Sequence, residues 1–217
     1  MRNLIQKTHL LSSKEWQKKT LNIINKTIQN KNDILICGGE TVKSIYRNID
    51  KKKISKKRFI LGDERDVSLN SKNSNYNNIK KNLFKNKINK NRFIFFDIKK
   101  NKSKKKILDE YINQIPKKIG VSIFSFAEDG HVFSLFFNEK NFKKKNKKAF
   151  YTIKKKNFSR FSISTKTFNS VKFHIILCKS IKCYKLFEQQ KKNKEGIFRY
   201  TEISKKPHIV CVKNNLI

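Results

Sequence analysis

The sequence contains few of the residues that interrupt or cross-link a polypeptide. Its 217 residues include only 2 Pro, 6 Gly and 4 Cys, together with 18 Phe. A disordered polar chain would have fewer aromatic side chains and more Pro and Gly. A domain of this length buries roughly 70% of the surface that it exposes when unfolded. We therefore expect one folded domain, residues 1–217, with a hydrophobic core.

Long apolar runs are also absent. No segment approaches the ~18 consecutive apolar residues of a membrane helix, and the first residues lack an apolar run of signal-peptide length. There is no Cys-x-x-Cys pair, and the Cys and His residues do not have zinc-finger spacing. These absences predict a cytoplasmic protein with no membrane contact and no metal site. The four cysteines are expected to be buried and reduced: Cys37, Cys178, Cys183 and Cys211.

Acidic residues are few, with 16 Asp and Glu against 53 Lys and Arg, which gives a net charge of +37. Such an excess suggests nucleic-acid binding, because Lys residues near phosphates release counterions. However, 46 of the basic residues are Lys and 7 are Arg, whereas surfaces that read a base sequence favour Arg. The Lys residues are spread over the whole chain and accompany abundant Asn and Ile, as drift toward A/T-rich codons would produce. We expect no specific nucleic-acid partner, only weak, salt-sensitive binding and an attraction for small anions. The densest runs, expected in solvated loops or helix ends, are residues 99–106, 140–148 and 191–194.

Apolar runs alternate with helix-start signals along the chain. Ser12 followed by Glu15 forms a capping box, which predicts a helix from Ser12 to residue 30. Strands are predicted at residues 33–37, 58–61, 92–97, 121–126, 161–164, 173–178 and 208–212. Further helices are predicted at residues 41–49, 75–84, 103–115 and 181–190.

This alternation of strands and helices predicts an α/β fold built from βαβ units. Most predicted strands are uniformly apolar, which indicates a mainly parallel, Rossmann-like sheet with helices on both faces. In such sheets ligands bind near the carboxyl ends of the strands. Four of the 6 Gly come directly after predicted strands, so these loops are the places to search for a site.

The first loop is Gly38-Gly39 between a strand and a helix. Free N–H groups at such a junction can bind phosphate, but an ordinary tight turn explains a Gly pair equally well. The second loop is Asp63-Glu64-Arg65. These charged groups could position a substrate or form a solvated ion-pair cluster, and spacing alone favours the cluster.

The third loop contains Asp129-Gly130-His131. His131 is predicted in the first turn of a helix, where Asp129 could orient it as a general base, although a structural role is equally consistent with the pattern. Two further histidines, His174 and His208, lie within predicted strands and are interpreted as core or edge residues.

Taken together, three segments in register resemble the 6-phosphogluconolactonases, which are related to glucosamine-6-phosphate deaminases and ribose-5-phosphate isomerases. Their family fold is the sugar-phosphate isomerase/CoA-transferase type. The similar segments cover the chain from about residue 34 to about residue 187. They are Ile36-Cys37-Gly38-Gly39-Glu40-Thr41, then Gly62-Asp63-Glu64-Arg65 with Ser74-Asn75-Tyr76, and Asp129-Gly130-His131 with Ser134-Leu135-Phe136.

The resemblance implies hydrolysis of 6-phospho-D-glucono-1,5-lactone to 6-phosphogluconate, in the oxidative pentose phosphate pathway, without a metal or another cofactor. The partner would be this small sugar-phosphate lactone, and the protein a monomer or small homo-oligomer. His131 would activate water, Asp129 would orient His131, and Arg65 would hold the substrate or stabilise the oxyanion. The implied substrate- and phosphate-binding residues are Gly38, Gly39, Thr41, Asp63, Arg160 and Lys182.

Several positions separate this sequence from the rival functions. A glucosamine-6-phosphate deaminase has a Glu five residues after its His and tends to have a Tyr at the position of Arg65. Here the first of these positions is Phe136, which cannot transfer a proton.

Family members usually have Ser or Arg at the position of Glu40. The Glu40 side chain could face the phosphate or pair with Lys43. A basic nucleic-acid-binding protein and an inactive relative remain as alternatives.

Overall fold

The computed structural model describes residues 6–87, 89–136, 147–155 and 157–215, so most of the basic run at residues 140–148 lies outside the described residues. The strands are β1 (Gln6–Ser12), β2 (Asp33–Ile36), β3 (Arg58–Leu61), β4 (Asp63–Arg65), β5 (Phe93–Ile94), β6 (Val121–Ser125), β7 (Ala149–Lys155), β8 (Phe158–Ile163), β9 (His174–Cys178) and β10 (His208–Asn214). The α-helices are α1 (Ser13–Thr27), α2 (Glu40–Arg47), α3 (Lys51–Ile54), α4 (Asn75–Asn82), α5 (Lys104–Gln114), α6 (Thr165–Asn169), α7 (Ile181–Asn193) and α8 (Gly196–Tyr200).

Side-chain caps explain where most of these helices begin. The hydroxyl of Ser12 accepts a hydrogen bond from the backbone N–H of Glu15 at 3.3 Å, which confirms Ser12 as the cap of α1. Other helices start after a residue that caps them in the same way: Asp50, Ser74, Ser103, Ser164 and Ser180. In contrast, α2 starts after Gly39, which has no side chain to accept these bonds.

Seven strands form the main sheet, in the order β1-β10-β9-β6-β2-β3-β5. Each strand runs parallel to its neighbours, which confirms the predicted α/β class. Consecutive side chains of a strand point to opposite faces. In β2, Ile34, Leu35 and Ile36 are all completely buried, so both faces of the sheet are covered.

Aromatic side chains fill much of the core. The rings of Phe96 and Tyr111 stack at 3.8 Å between centroids, and Phe126 meets Phe187 edge-on at 5.3 Å. His174 and His208 are buried in neighbouring strands, as predicted. The four cysteines are buried and free of disulfides, also as predicted. Among the described residues, no helix combines the length and apolarity needed to cross a membrane.

The structure differs from the predicted strands at five positions, which are β1, β4, β5, β7 and β8. Strand β1 was not predicted, because its residues are mostly exposed at the edge of the sheet and lack an apolar run. The strand predicted at residues 92–97 shortens to Phe93–Ile94. The strand predicted at residues 161–164 corresponds to β8, which lies outside the parallel sheet. It pairs antiparallel with β4 and β7 in a second sheet, because its partner Asp63–Arg65 is a strand and not a loop.

Candidate active site

The carboxyl ends of β2 and β6 meet where the order of the sheet reverses. Strands β3 and β5 lie on one side of β2, whereas β6, β9 and β10 lie on the other. In open α/β sheets a crevice forms outside the strand ends at such a point, and ligands bind there. The Gly38-Gly39 loop follows β2 and the loop at residues 126–131 follows β6, so two of the three predicted loops border the crevice.

The side chains of His131 and Asp129 form a hydrogen-bonded pair after β6. His131 Nδ1 shares a hydrogen bond with Asp129 Oδ1, and the backbone N–H of His131 lies 3.4 Å from the same oxygen. Because an ionised carboxylate can only accept, Nδ1 is the donor in this bond, and in the neutral imidazole Nε2 then presents a lone pair. The imidazole remains 23% exposed, so a water molecule can reach it. This geometry is that of an oriented general base.

A tight turn presents this pair. Gly130 has a φ of +77°, in the left-handed region that favours glycine, and its N–H donates to the carbonyl of Ala127 at 3.0 Å. A Cβ at Gly130 would lie 2.4 Å from Nε2 of Gln190 on α7. The backbone angle therefore favours a glycine between Asp129 and His131, whereas the Gln190 amide, at the end of a flexible side chain, could move away from a Cβ.

The described residues after His131, up to residue 136, do not form a helix, so the prediction that His131 lies in the first turn of a helix is wrong. Val132 and Leu135 instead exchange backbone hydrogen bonds at 3.4 and 2.9 Å in a second tight turn. Phe133 adopts a φ of +55° within this turn and packs against Gly62. The positive φ of Phe133 is incompatible with an α-helix, so the chain turns at the end of β3 instead.

Asp63, at the start of β4, has partners inside the protein for both carboxylate oxygens. Its Oδ2 accepts from the hydroxyl of Ser134 at 2.8 Å, and its Oδ1 accepts from the amide of Asn75 at 3.2 Å. The guanidinium of Arg160 lies 4.0 Å from Oδ2. Asp63 thus joins the loop after β6 to strand β8 and helix α4.

Glu64 is completely buried, which excludes the solvated ion-pair cluster that spacing alone favoured for this loop. Its two oxygens accept hydrogen bonds from the backbone N–H groups of Arg65, Asn75 and Tyr76 and from the hydroxyl of Ser74. Burial raises the pKa of Glu64 to about 7, while these four hydrogen bonds act in the opposite direction.

The two arginines of the site occupy facing positions on neighbouring strands. Arg65 on β4 pairs with Arg160 on β8, and Arg65 Nη1 donates to the carbonyl of Asn73 at 2.9 Å. The guanidinium of Arg160 lies 5.7 Å from the centroid of the Phe136 ring, which also stacks on His131. Burial lowers the pKa of Arg160, while the nearby carboxylate of Asp63 acts to raise it. Within the described ranges, the buried Nε atoms of both arginines have no hydrogen-bond acceptor.

The Gly38-Gly39 loop packs against α4. A Cβ at Gly38 would lie 2.5 Å from the Cβ of Asn75, so only glycine fits there, and Asn78 Nδ2 donates to the Gly38 carbonyl. Gly39, by contrast, faces open space. Because α2 has no side-chain cap, N–H groups of its first turn, which includes Thr41, are available to an anion.

Two charged residues of the sequence analysis lie at the surface. Glu40 forms an ion pair with Lys43, and its side chain is 84% exposed. Lys182, in the first turn of α7, is exposed. In the described part of the chain, no hydrogen bond, ion pair or ring contact joins Lys182 to the other candidate residues, which leaves it apart from the cluster around Asp63.

Sequence reasoning did not assign roles to three side chains that hold this cluster together: Asn75, Ser134 and Phe136. All three fall within the segments that resemble the family, which is the signal that could have found them. A cavity of about 400 Å³ lies elsewhere, bounded by Phe59, Leu83 and other side chains near the amino end of β3, and contains none of the candidate residues.

Comparison with known proteins relates the chain to one family. The family model described as glucosamine-6-phosphate isomerases/6-phosphogluconolactonase matches residues 10–189. No match was found among the curated proteins.

Solved structures share the fold at low sequence identity. The 6-phosphogluconolactonase from Thermotoga maritima is 19% identical, with a TM-score of 0.83, and the match covers 96% of this chain and 99% of that one. The enzyme of that name from Trypanosoma brucei is 17% identical, with a TM-score of 0.82 and 97% of each chain covered. For 6-phosphogluconolactonase from Plasmodium vivax the values are 18% identity, a TM-score of 0.79, and 99% of this chain and 91% of that one.

Proposed function

The chain belongs to the family of glucosamine-6-phosphate isomerases and 6-phosphogluconolactonases, and on that premise we propose that it hydrolyses 6-phospho-D-glucono-1,5-lactone to 6-phosphogluconate. The observation that carries the proposal is the His131–Asp129 pair at the crevice, with the Phe136 ring stacked on the imidazole. Hydrolysis of an ester needs one base to activate water. Isomerisation with deamination needs further proton transfers, which the phenyl ring of Phe136 cannot perform.

The reaction would start from the neutral imidazole of His131 with its proton on Nδ1. Nε2 accepts a proton from water as the oxygen attacks the lactone carbonyl, and the C=O bond becomes a C–O⁻ bond. The ring C–O bond then breaks, and the departing oxygen takes the proton from Nε2. The C=O bond re-forms as the ring C–O bond breaks, so water is added across the ester bond and gives a hydroxyl and a carboxylic acid. The acid then loses its proton to solvent, which gives 6-phosphogluconate. Asp129 holds Nδ1–H and stabilises the imidazolium that forms in between.

The oxyanion requires a fixed positive charge near the carbonyl. We assign this role to Arg65, whose guanidinium is anchored on the carbonyl of Asn73. A guanidinium held in place before the reaction stabilises developing charge without reorganisation. Asp63 has internal partners for both oxygens, so we propose that it positions Arg160 and Ser134, not that it touches the phosphate, which its charge would repel.

The phosphate would bind at the start of α2. Gly38 and Gly39 let the backbone approach, and the N–H groups and the hydroxyl of Thr41 can donate to phosphate oxygens. Arg160, near Asp63, and the exposed Lys182 would supply cations for the dianion. The many lysines would attract such an anion, and we propose action in the cytoplasm, on a small molecule, without a specific nucleic-acid partner.

The decisive experiment is a lactone assay that records the formation of 6-phosphogluconate and subtracts spontaneous opening. We expect acceleration without added metal, and no release of ammonia from glucosamine 6-phosphate. Lack of acceleration would reject the lactonase proposal, and release of ammonia would favour the isomerase branch of the family. Retention on heparin that 6-phosphogluconate cannot displace would favour the nucleic-acid alternative.

A further inference from the structure

Glu64 is the most deeply buried carboxylate of the candidate site and has no role in the reaction proposed above. It lies between Asp63 and Arg65, and its residue is completely inaccessible to solvent. In the sheet register it faces Phe161 on β8. A carboxylate in such a place lowers stability unless its oxygens are fully hydrogen-bonded, so its partners reveal what it holds.

The two oxygens of Glu64 connect two segments of the chain. Oε1 accepts from the backbone N–H groups of Arg65 at 2.8 Å and Asn75 at 2.7 Å. Oε2 accepts from the Ser74 hydroxyl at 2.9 Å and the Tyr76 backbone N–H at 2.7 Å. One side chain thereby fixes strand β4 to the first turn of helix α4.

Asn75 transmits this constraint to both ends of the candidate site. Its amide donates to the backbone carbonyl of Asp63 at 2.9 Å and to the Asp63 carboxylate at 3.2 Å. Its Cα and Cβ form the wall against which Gly38 packs. A small displacement of Asn75 would therefore move the proposed phosphate loop and the Asp63 carboxylate, which is held near Arg160, at the same time.

We propose that Glu64 is a positioning residue that sets the distance between the Gly38-Gly39 loop and the Asp63-Arg65 strand. It acts through the backbone of Arg65, Asn75 and Tyr76 and does not contact the substrate. Its effect on lactone hydrolysis rests on the proposed function, whereas its effect on the position of the two segments does not.

Glu64→Gln is the sharpest variant because it keeps the volume of the side chain. The amide oxygen can still accept from two donors. The NH₂ group, which is itself a donor, would replace Oε2 and face the two donors that Oε2 accepts from, the Ser74 hydroxyl and the Tyr76 N–H. The Ser74 hydroxyl can rotate to accept from it, whereas the Tyr76 N–H cannot. Loss of one buried hydrogen bond typically corresponds to about a tenfold change in an equilibrium.

We expect Glu64→Gln to lower kcat/KM for the lactone about tenfold, with a higher KM and a lower kcat. Hydrogen exchange followed by mass spectrometry should show faster exchange at residues 36–42 and 74–76 and unchanged exchange in β9 and β10. Ser122→Ala is the matched control, since it removes a buried hydrogen bond to His174 at 2.7 Å on a different strand. It should change neither the kinetic constants nor exchange at these two segments.

Parental kcat and KM in folded Glu64→Gln, or exchange that rises equally throughout the chain, would overturn the positioning role. If Glu64→Gln does not fold, Ser74→Ala, which removes one donor to Oε2 together with the cap of α4, should give the same pattern in weaker form. Ser103→Ala, which removes the cap of α5 alone, should not give it. If the parent fails to accelerate lactone hydrolysis, the proposed function fails, and the exchange measurement still decides on Glu64.

Discussion

The phenyl ring of Phe136 lies stacked against the imidazole of His131, with 4.6 Å between centroids and 26° between planes. The guanidinium of Arg160 lies 5.7 Å from the centroid of the same phenyl ring. Phe136 thus contacts both a candidate base and a candidate anion-binding cation. It restricts the imidazole to the orientation in which Nδ1 meets Asp129, and it contributes no proton-transfer group of its own.

His131→Ala should abolish most of the catalysed rate and leave binding of 6-phosphogluconate nearly unchanged. The base is lost, whereas the proposed phosphate loop at Gly38-Gly39 is untouched. A positioned base contributes roughly 10²–10⁴-fold, so kcat should fall by that factor. Initial rates of lactone hydrolysis and calorimetric binding of the product measure the two effects. A parental rate in this variant would contradict the mechanism.

Arg160→Ala and Lys182→Ala should both raise KM for the lactone, but only the first should lower stability. Removing a charged partner of the phosphate weakens binding roughly tenfold to a hundredfold. Arg160 also lies 4.0 Å from buried Asp63, which would lose its cation, whereas Lys182 is exposed. Steady-state kinetics and thermal unfolding distinguish the variants. If both bind 6-phosphogluconate as the parent does, neither residue belongs to the site.

Glu40→Ser should change 6-phosphogluconate binding by less than about twofold. The Glu40 carboxylate pairs with Lys43 and is 84% exposed, so water and salt screen it from an anion at the start of α2. Calorimetric titration at two salt concentrations tests this. Clearly tighter binding by the variant would mean that Glu40 turns toward the phosphate, and clearly weaker binding would mean that the loop holds something other than a phosphate.

Gly38→Ala and Gly39→Ala form a matched pair. A Cβ at Gly38 would lie 2.5 Å from the Cβ of Asn75, so this variant should lose about 1–3 kcal/mol of stability and bind product more weakly. A Cβ at Gly39 meets nothing within 4 Å, and its φ of −71° suits alanine, so stability should stay equal or rise by about 0.4–1 kcal/mol. Urea unfolding measures both. Equal stability losses would contradict the packing of Gly38 on α4.

The raised pKa of Glu64 predicts how stability changes with pH. Its pKa is about 7 in the folded protein against 4.5 ordinarily, so between these values the folded state binds more protons than the unfolded state. Stability should therefore fall as pH rises from 4.5 to 7, by roughly 3 kcal/mol relative to Glu64→Gln, whose amide does not titrate. The charged group that acts on Glu64 electrostatically is Arg160 on β8, and it is the same in both proteins.

Urea unfolding of the parent and Glu64→Gln at pH 5 and pH 7.5 measures this difference. Groups that titrate elsewhere cancel in the comparison. If the parent instead gains stability over the variant as pH rises, the four hydrogen bonds to the carboxylate outweigh its burial.

Local sequence signals were sufficient for five strands of the main sheet and for the positions of the two candidate loops that border the crevice. Apolar runs predicted β2, β3, β6, β9 and β10, because strands covered on both faces need no polar positions. The capping box at Ser12 predicted the start of α1, because its hydrogen bonds span only three residues. The glycines after β2 and β6 identified, from the sequence alone, the two loops that border the crevice.

What the sequence left open depends on contacts between distant parts of the chain. Ser134 and Asp63 are separated by 71 residues, and only the fold joins them. Nothing in the sequence distinguishes Glu64 from the acidic residue before it, yet in the fold Glu64 is buried and accepts hydrogen bonds from the backbone of α4 instead of from solvent. β1 is a strand only because β10 pairs with it, since its own residues are mostly polar and exposed. Sequence pattern thus determined the central strands of the main sheet and the residue types at the crevice. Tertiary packing determined the edge strand β1, the second sheet and the contacts between charged residues, because these depend on segments far apart in the chain.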